Sequence, residues 1–74
     1  MPKVPAVTGN EVIHALEKVG FQVVRQKGIY VRMQHEDGRV VTIPVHAGKN
    51  VGRGLLRKIL RDAKMTREEL IDLL

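Results

Sequence analysis

The sequence contains no cysteine and no long apolar run. Without cysteine, neither a disulfide framework nor a thiolate metal site is available. No apolar run approaches the roughly 20 residues that cross a membrane, and the N-terminus lacks the apolar core of a signal peptide. We therefore expect a cytoplasmic protein that has no membrane partner.

The sequence also lacks the motifs that bind nucleotides and metals. Gly48, Gly52 and Gly54 are too sparse for a nucleotide-binding loop, and no Walker or dinucleotide pattern is present. The three histidines are scattered, without the spacing of metal ligands. We expect no cofactor and no metal, with His14 on a helix surface and His35 beside a turn.

The chain has a net charge of +5, and its basic residues are concentrated in the middle. Between Arg25 and Arg61 only Glu36 and Asp37 oppose them, whereas residues 62–74 are net acidic. A basic middle indicates a surface for a polyanion, most often a nucleic acid, and an ordinary solubilising surface is the alternative. Seventy-four residues make one small domain with a thin core.

The first predicted element is a helix. Thr8 and Glu11 fit a capping box, so the helix begins at Thr8, and Gly20 ends it as a left-handed cap. Two prolines favour an extended, flexible lead-in over residues 1–7. Residues 8–74 then form the single domain.

Residues 29–45 predict a β-hairpin around the turn dipeptide Asp37-Gly38. The strand before the turn alternates apolar and polar residues, and β-branched residues dominate the strand after it. Pro44 cannot donate to a ladder, so it ends the third strand or lies at an edge. Residues 21–26 supply the first strand. In the second strand, alternation sends Ile29, Val31 and Met33 to the core and Tyr30, Arg32 and Gln34 to an open face.

A second helix is predicted from Gly52 or Arg53 to Ala63, and a second capping box at Thr66 begins a short C-terminal helix. The buried stripe of the second helix comprises Leu55, Leu56, Ile59, Leu60 and Ala63. Three antiparallel strands need cover on one face, which the helices supply. The prediction is an α+β domain of the α-β-β-β-α, dsRBD-like type. It has a three-stranded antiparallel sheet, helices on one face and a short extra C-terminal helix.

Residues that can bind phosphate surround the open face and the second helix. Basic side chains form charge-assisted bonds to phosphate, and helix N-termini favour anions. Tyr30 can stack on a base, and His46, in a loop, can serve as a general base. The residues predicted to bind the nucleic acid, which the family resemblance below makes RNA, are Lys27, Arg32, Gln34, Lys49, Arg53, Arg57 and Lys58. The alternatives are a packed strand tyrosine, a surface-loop histidine and a solvated helix face.

Several segments match one toxin family in residue pattern. They are Glu11–Phe21, Lys27-Gly28, Val31–His35, Asp37–His46, Gly48–Asn50 and Gly54–Leu60. In this combination the chain resembles the HicA (YcfA-like) toxins over nearly its whole length. The resemblance implies an mRNA interferase of a toxin–antitoxin system, which is an endonuclease that binds and cleaves messenger RNA. It also implies a HicB-like antitoxin as the protein partner.

The resemblance further implies a catalytic histidine after Gly-Ser at the start of the second strand. This chain has Gly28-Ile29-Tyr30 there, so Tyr30 replaces the histidine. The ordinary pKa of a tyrosine is about 10 and that of a histidine about 6.5, so tyrosine can donate a proton but is a poor base at neutral pH. The candidate catalytic residues are therefore Tyr30 and His46.

Two other functions stay open from the sequence. Because Tyr30 replaces the histidine, the chain could be a non-catalytic module that binds RNA or an antitoxin on the same fold. The short turn between the last two helices suggests a DNA-binding helix-turn-helix. The acidic residues Glu68, Glu69 and Asp72 on its second helix oppose that role, because they would repel phosphate.

Overall fold

The computed structural model describes residues 6–74, and residues 1–5 lie outside the described part. The elements are α1 (Gly9–Lys18), β1 (Gln22–Lys27), β2 (Tyr30–Gln34), β3 (Val40–Pro44), α2 (Arg53–Ala63) and α3 (Arg67–Leu73). The three strands form one open antiparallel sheet in the order β1-β2-β3. The predicted α+β class and element order are confirmed. None of the helices within residues 6–74 has the length and apolar character needed to span a bilayer.

Helix α1 begins and ends at the residues that its sequence signals indicate. The Thr8 hydroxyl accepts from the Glu11 N–H over 3.2 Å, and the Glu11 carboxylate accepts from the Thr8 N–H over 2.9 Å. At the other end Gly20 has a φ of +100°. The N–H of Phe21 reaches back to the Leu16 carbonyl over 3.1 Å, which satisfies a carbonyl that the helix end leaves free. Thr66 caps α3 with the same reciprocal pattern.

The sheet buries one face and leaves the other to solvent. Val31 and Met33 of β2 are buried, and they pair with Ile43 and Val41 of β3, which are also buried. Tyr30, the first residue of β2, is exposed, as alternation predicts. Helices α1 and α2 pack against β3 and cover the buried face.

The predicted buried stripe of α2 is wrong at one residue. Leu56, Ile59, Leu60 and Ala63 of α2 are buried, but Leu55 is 38% exposed. Leu55 is about 100° around the helix from Leu56 and lies in the first turn of α2. There the helix borders a surface cleft instead of the core.

The chain just before α1 is tied to the segment just before α2. Val7 is buried, and its carbonyl accepts from the Val51 N–H over 2.7 Å. Thr8 forms an isolated antiparallel bridge with Asn50. Of the predicted lead-in segment, residues 1–5 lie outside the described part of the chain, whereas Val7 belongs to the core. The domain bounds stay a prediction.

Arg39 joins the far end of the sheet to the helices. Its guanidinium donates to the Ala63 carbonyl at the end of α2 over 2.5 Å, where a cation also complements the helix dipole. The same group lies 5.0 Å from the centre of the Phe21 ring, and His35 packs against the edge of that ring. This cluster holds α2 over the sheet, so the start of α2 is placed at the opposite end of β3.

Gly9 is the point of closest approach between α1 and the sheet. A Cβ at Gly9 would overlap the carbonyl oxygen of Pro44 and touch Val45. Only a residue without a side chain lets the first turn of α1 lie against the end of β3.

We predict that Gly9→Ala lowers the free energy of unfolding by about 1–3 kcal/mol, because the added methyl group forces the two backbones apart. Gly54→Ala is the matched control. Gly54 also lies in the first turn of a helix, but a Cβ there would meet nothing within 4 Å. The free energy of unfolding of Gly54→Ala should rise by about 0.4–1 kcal/mol. Urea denaturation of both variants measures the difference, and equal stability of the two would contradict the close approach.

Candidate nucleic-acid interface

The surface of the sheet opposite the helices, called the open face here, has cross-strand rows of polar residues. Lys27 pairs with Tyr30, and Tyr30 pairs with Pro44. In the next row of the open face, Arg32 of β2 lies between Arg25 of β1 and Thr42 of β3. Cross-strand partners project from the same face, so Lys27, Tyr30 and Arg32 share this surface. Gln34 is also exposed on it.

Arg25 belongs to the open face too, although strand alternation would place it on the other side with Val23. The register shifts between Val23 and Arg25, so that Val23 pairs with buried Met33 whereas Arg25 pairs with exposed Arg32. A β-bulge of this kind inserts one residue and reverses the facing of those after it. Arg25 was not among the predicted site residues, because a bulge in an otherwise regular strand has no reliable sequence signal.

A cleft of about 210 Å³ opens at one end of the open face. It is lined by Tyr30, Pro44, His46, Lys49, Asn50, Val51, Gly52 and Leu55. The cleft therefore contains both candidate catalytic residues, Tyr30 and His46, together with Lys49. Their positions in the sequence are far enough apart that only the fold brings them together.

The loop that carries His46 and Lys49 is fixed at both ends. Pro44 ends β3, and the Lys49 N–H donates to the His46 carbonyl over 3.0 Å in a tight turn. Gly48 within the turn has a φ of +72°, a conformation that favours glycine. The bonds of Asn50 and Val51 with the chain before α1 anchor the loop where it enters α2. These constraints keep both side chains at the mouth of the cleft.

The start of α2 forms the far wall of the cleft through Gly52 and Leu55. Gly52 is the N-cap, and glycine has no side chain that can accept from the helix. The first turn of α2 contains no acidic residue either. Unpaired N–H groups and the helix dipole make such a helix start favourable for an anion.

The structure separates the predicted cations of α2 from one another. Arg53 is exposed at the first position of the helix, next to the cleft. Lys58 is 3.2 Å from the carboxylate of Asp62, which partly neutralises it. Arg57 lines a different depression, towards the start of α3. Arg57 and Lys58 therefore do not line the cleft, and their role in RNA binding stays a prediction.

Residues 9–65 match the family described as the HicA toxin of bacterial toxin–antitoxin systems. This chain belongs to the HicA toxin family. The matched span runs from the start of α1 to just beyond α2 and contains the whole sheet and cleft. No curated protein matches the chain.

Two histidines of this HicA-family chain lie outside the cleft. His14 is exposed on α1, as predicted. His35 lies beside the β2–β3 turn, where its Nε2 donates to the Val19 carbonyl over 3.0 Å and its Nδ1 accepts from the Asp37 N–H over 3.1 Å. Both ring nitrogens serve the turn and the end of α1. Within residues 6–74 no group of three or more acidic or histidine side chains is placed to hold a metal ion.

Asp37 is held in its charged form at this turn. The backbone N–H of Arg39 donates to its Oδ1 over 3.0 Å, and the Arg39 guanidinium donates to its Oδ2 over 2.8 Å. These bonds favour the carboxylate and lower the pKa of Asp37 below the ordinary value of 3.8, although partial desolvation opposes them. The lowered pKa means that the ionised form stabilises the folded state.

We predict that Asp37→Ala lowers the stability of the protein at neutral pH. The stabilisation by Asp37 is present above the pKa of the unfolded chain and is lost as the pH falls through the lower pKa of the folded state. The stability of the variant should therefore approach that of the wild type as the pH falls below 3.8. Urea denaturation across this pH range checks the prediction, which a pH-independent difference would contradict.

Proposed function

We propose that this protein is an RNA-binding toxin whose open face and cleft together form the RNA site. The observation that carries the proposal is the position of Tyr30. It stands in a row with Lys27 on the open face, and it also lines the cleft with His46 and Lys49. An RNA strand that follows the face would thus reach the cleft without leaving the surface.

The open face has the chemistry that single-stranded RNA requires. Arg25, Lys27 and Arg32 supply positive charge, and in the described part of the chain none of them forms an ion pair. Tyr30 is 56% exposed, so its ring is accessible for base stacking. Aromatic stacking beside basic side chains is the usual basis of single-strand binding.

The cleft supplies groups for cleavage of the RNA backbone through the 2′-hydroxyl. In the proposed reaction, His46 takes the proton from the 2′-hydroxyl as it attacks the phosphorus, and the Tyr30 hydroxyl gives a proton to the leaving 5′-oxygen. Lys49 and the first N–H groups of α2 stabilise the negative charge that develops on the phosphate. The resulting products are a 2′,3′-cyclic phosphate and a free 5′-hydroxyl.

The proposed substrate is messenger RNA, and the proposed protein partner is a HicB-like antitoxin. Membership of the HicA toxin family supports both. A partner that covers Tyr30 and the basic open face would block RNA access. A DNA-binding helix-turn-helix is not supported, because α3 has only seven residues and presents Glu68 and Glu69 in its first turn.

Tyr30 also favours a second candidate function, a non-catalytic module that binds RNA or an antitoxin. The side chain replaces the histidine that the family resemblance implies, and tyrosine is a poor base at neutral pH. The two functions share one RNA surface and differ in whether the bound RNA is cut.

Removing two cations from the open face should weaken RNA binding. The double variant Arg25→Ala/Arg32→Ala should weaken binding to single-stranded RNA on the order of tenfold, because it removes two cations that bind phosphate. The slope of log affinity against log salt should become shallower by about 0.7 for each phosphate that the variant no longer neutralises. Tyr30 is the only tyrosine and the chain has no tryptophan, so intrinsic fluorescence reports binding at the site itself.

Lys64→Ala is the control for charge. Lys64 is exposed beyond the end of α2, away from the cleft at the helix start, and its removal changes the net charge without touching the open face. Its RNA affinity should stay near that of the wild type. The control removes one charge and the double variant two, so a fall in log affinity in the control that reaches half of that in the double variant would show that binding depends on total charge and would refute the open face as the site.

Removing either candidate catalytic side chain should slow RNA cleavage. His46→Ala should lower the rate of RNA cleavage by about 10²- to 10⁴-fold, since it removes the proton acceptor. Tyr30→Phe should also lower the rate of cleavage, but it should still bind RNA because the aromatic ring is retained. Gel analysis of a labelled RNA incubated with each variant gives the rates, and Lys64→Ala again serves as the control.

Two other outcomes are informative. If the wild type binds RNA without cutting it and Tyr30→His gains cleavage, the non-catalytic function is supported. If His46→Ala cuts as fast as the wild type, His46 is not the base and the proposed mechanism fails.

A further inference from the structure

Strand β1 is exposed along its whole length. All six of its residues are exposed, including Val23 at 46% and Val24 at 52%. The helices pack over β3, and β1 packs mainly against β2, so the helix layer does not extend to this side of the sheet. Two adjacent valines on an uncovered strand form a small apolar surface beside the strand edge.

β1 is also an edge of the sheet, with free backbone groups. The two-residue turn Gly28-Ile29 joins it to β2, and the φ of +58° at Gly28 suits the first position of a type II′ turn. In such a hairpin the flanking pair, Lys27 and Tyr30, exchanges backbone hydrogen bonds. Gln26 is the next residue, so its N–H and carbonyl point away from β2 towards the free edge. An edge of this kind is a template for one more strand.

The charge of the edge selects the strand that can pair with it. Between Phe21 and His35 the chain has no acidic residue, and β1 itself contains Arg25 and Lys27. A second copy of β1 would bring these cations against their equivalents, which destabilises pairing. A strand with glutamate or aspartate at alternate positions would instead place carboxylates beside them.

We infer that β1 accepts an extended, acidic β-strand from the antitoxin partner. The pairing extends the sheet to four strands and covers Val23 and Val24. The inference rests on the proposed function in taking the antitoxin as the source of the strand. RNA offers no apolar strand to cover the valines and no backbone that continues the ladder, so it fits this edge less well than a peptide does.

The pairing would also act on the RNA site. Arg25 and Lys27 belong both to β1 and to the open face. Carboxylates of the added strand that bind these two cations leave fewer positive charges for RNA. Partner binding at the edge thus weakens RNA binding without entering the cleft.

The test uses the whole protein and a short peptide of alternating glutamate and valine as the probe. In a ¹⁵N NMR titration the acidic peptide should shift the β1 amides. A peptide with lysine in place of each glutamate should bind about tenfold more weakly, because several exposed ion pairs become repulsive. Shifts of equal size with both peptides, or shifts that avoid β1, would overturn the inference.

A matched pair of variants tests whether the backbone takes part. Gln26→Pro removes the outward N–H and leaves the hydrogen-bonded pair Lys27–Tyr30 intact, so it should weaken peptide binding about fivefold. Gln26→Thr keeps the N–H and should bind the peptide as the wild type does. Equal binding by both variants would show that charge alone attracts the peptide, and would refute strand pairing.

RNA binding by Gln26→Pro separates this inference from the proposed function. Unchanged RNA affinity together with weakened peptide binding supports a distinct protein-binding edge. If Gln26→Pro weakens RNA binding as much as it weakens peptide binding, the edge belongs to the RNA surface and the inference fails. Chemical shifts of β1 that change with protein concentration alone would show that a second copy occupies the edge, which also overturns it.

Discussion

The alternation of side chains in β2 determines where the functional surface can lie. Val31 and Met33 must be buried, because together with Val41 and Ile43 they form the sheet side of a thin core. A strand sends neighbouring side chains to opposite faces, so the residues between them are forced onto the open face. A shift of one residue would bury Arg32 and expose Met33, which a domain of this size would not survive.

Local sequence signals predicted much of this architecture. The capping boxes at Thr8 and Thr66 specify where α1 and α3 begin, and the alternation around Val31 specifies the two faces of the hairpin. These features depend on residues that are near one another in the chain. Tyr30 and His46 were also identified as candidates from sequence, but only the packing of the loop against the start of α2 brings them into one cleft.

Features that depend on distant parts of the chain were not predicted. The bulge in β1 turns Arg25 to the open face, and it is visible only in the pairing with β2. Leu55 has the spacing of a core residue, yet it is 38% exposed and borders the cleft. Arg57 fits a basic helix stripe, but it faces the start of α3. In each case the pairing or packing with a neighbouring element, and not the local pattern, decides what the side chain meets.

The central claim is that RNA lies across the open face and enters the cleft. Chemical-shift mapping of the ¹⁵N-labelled protein with a short single-stranded RNA tests it most directly. The largest shifts are expected at Arg25, Tyr30, Arg32 and His46, on both the open face and the cleft. Shifts confined to α3, with the amides of the sheet and of His46 unchanged, would contradict it.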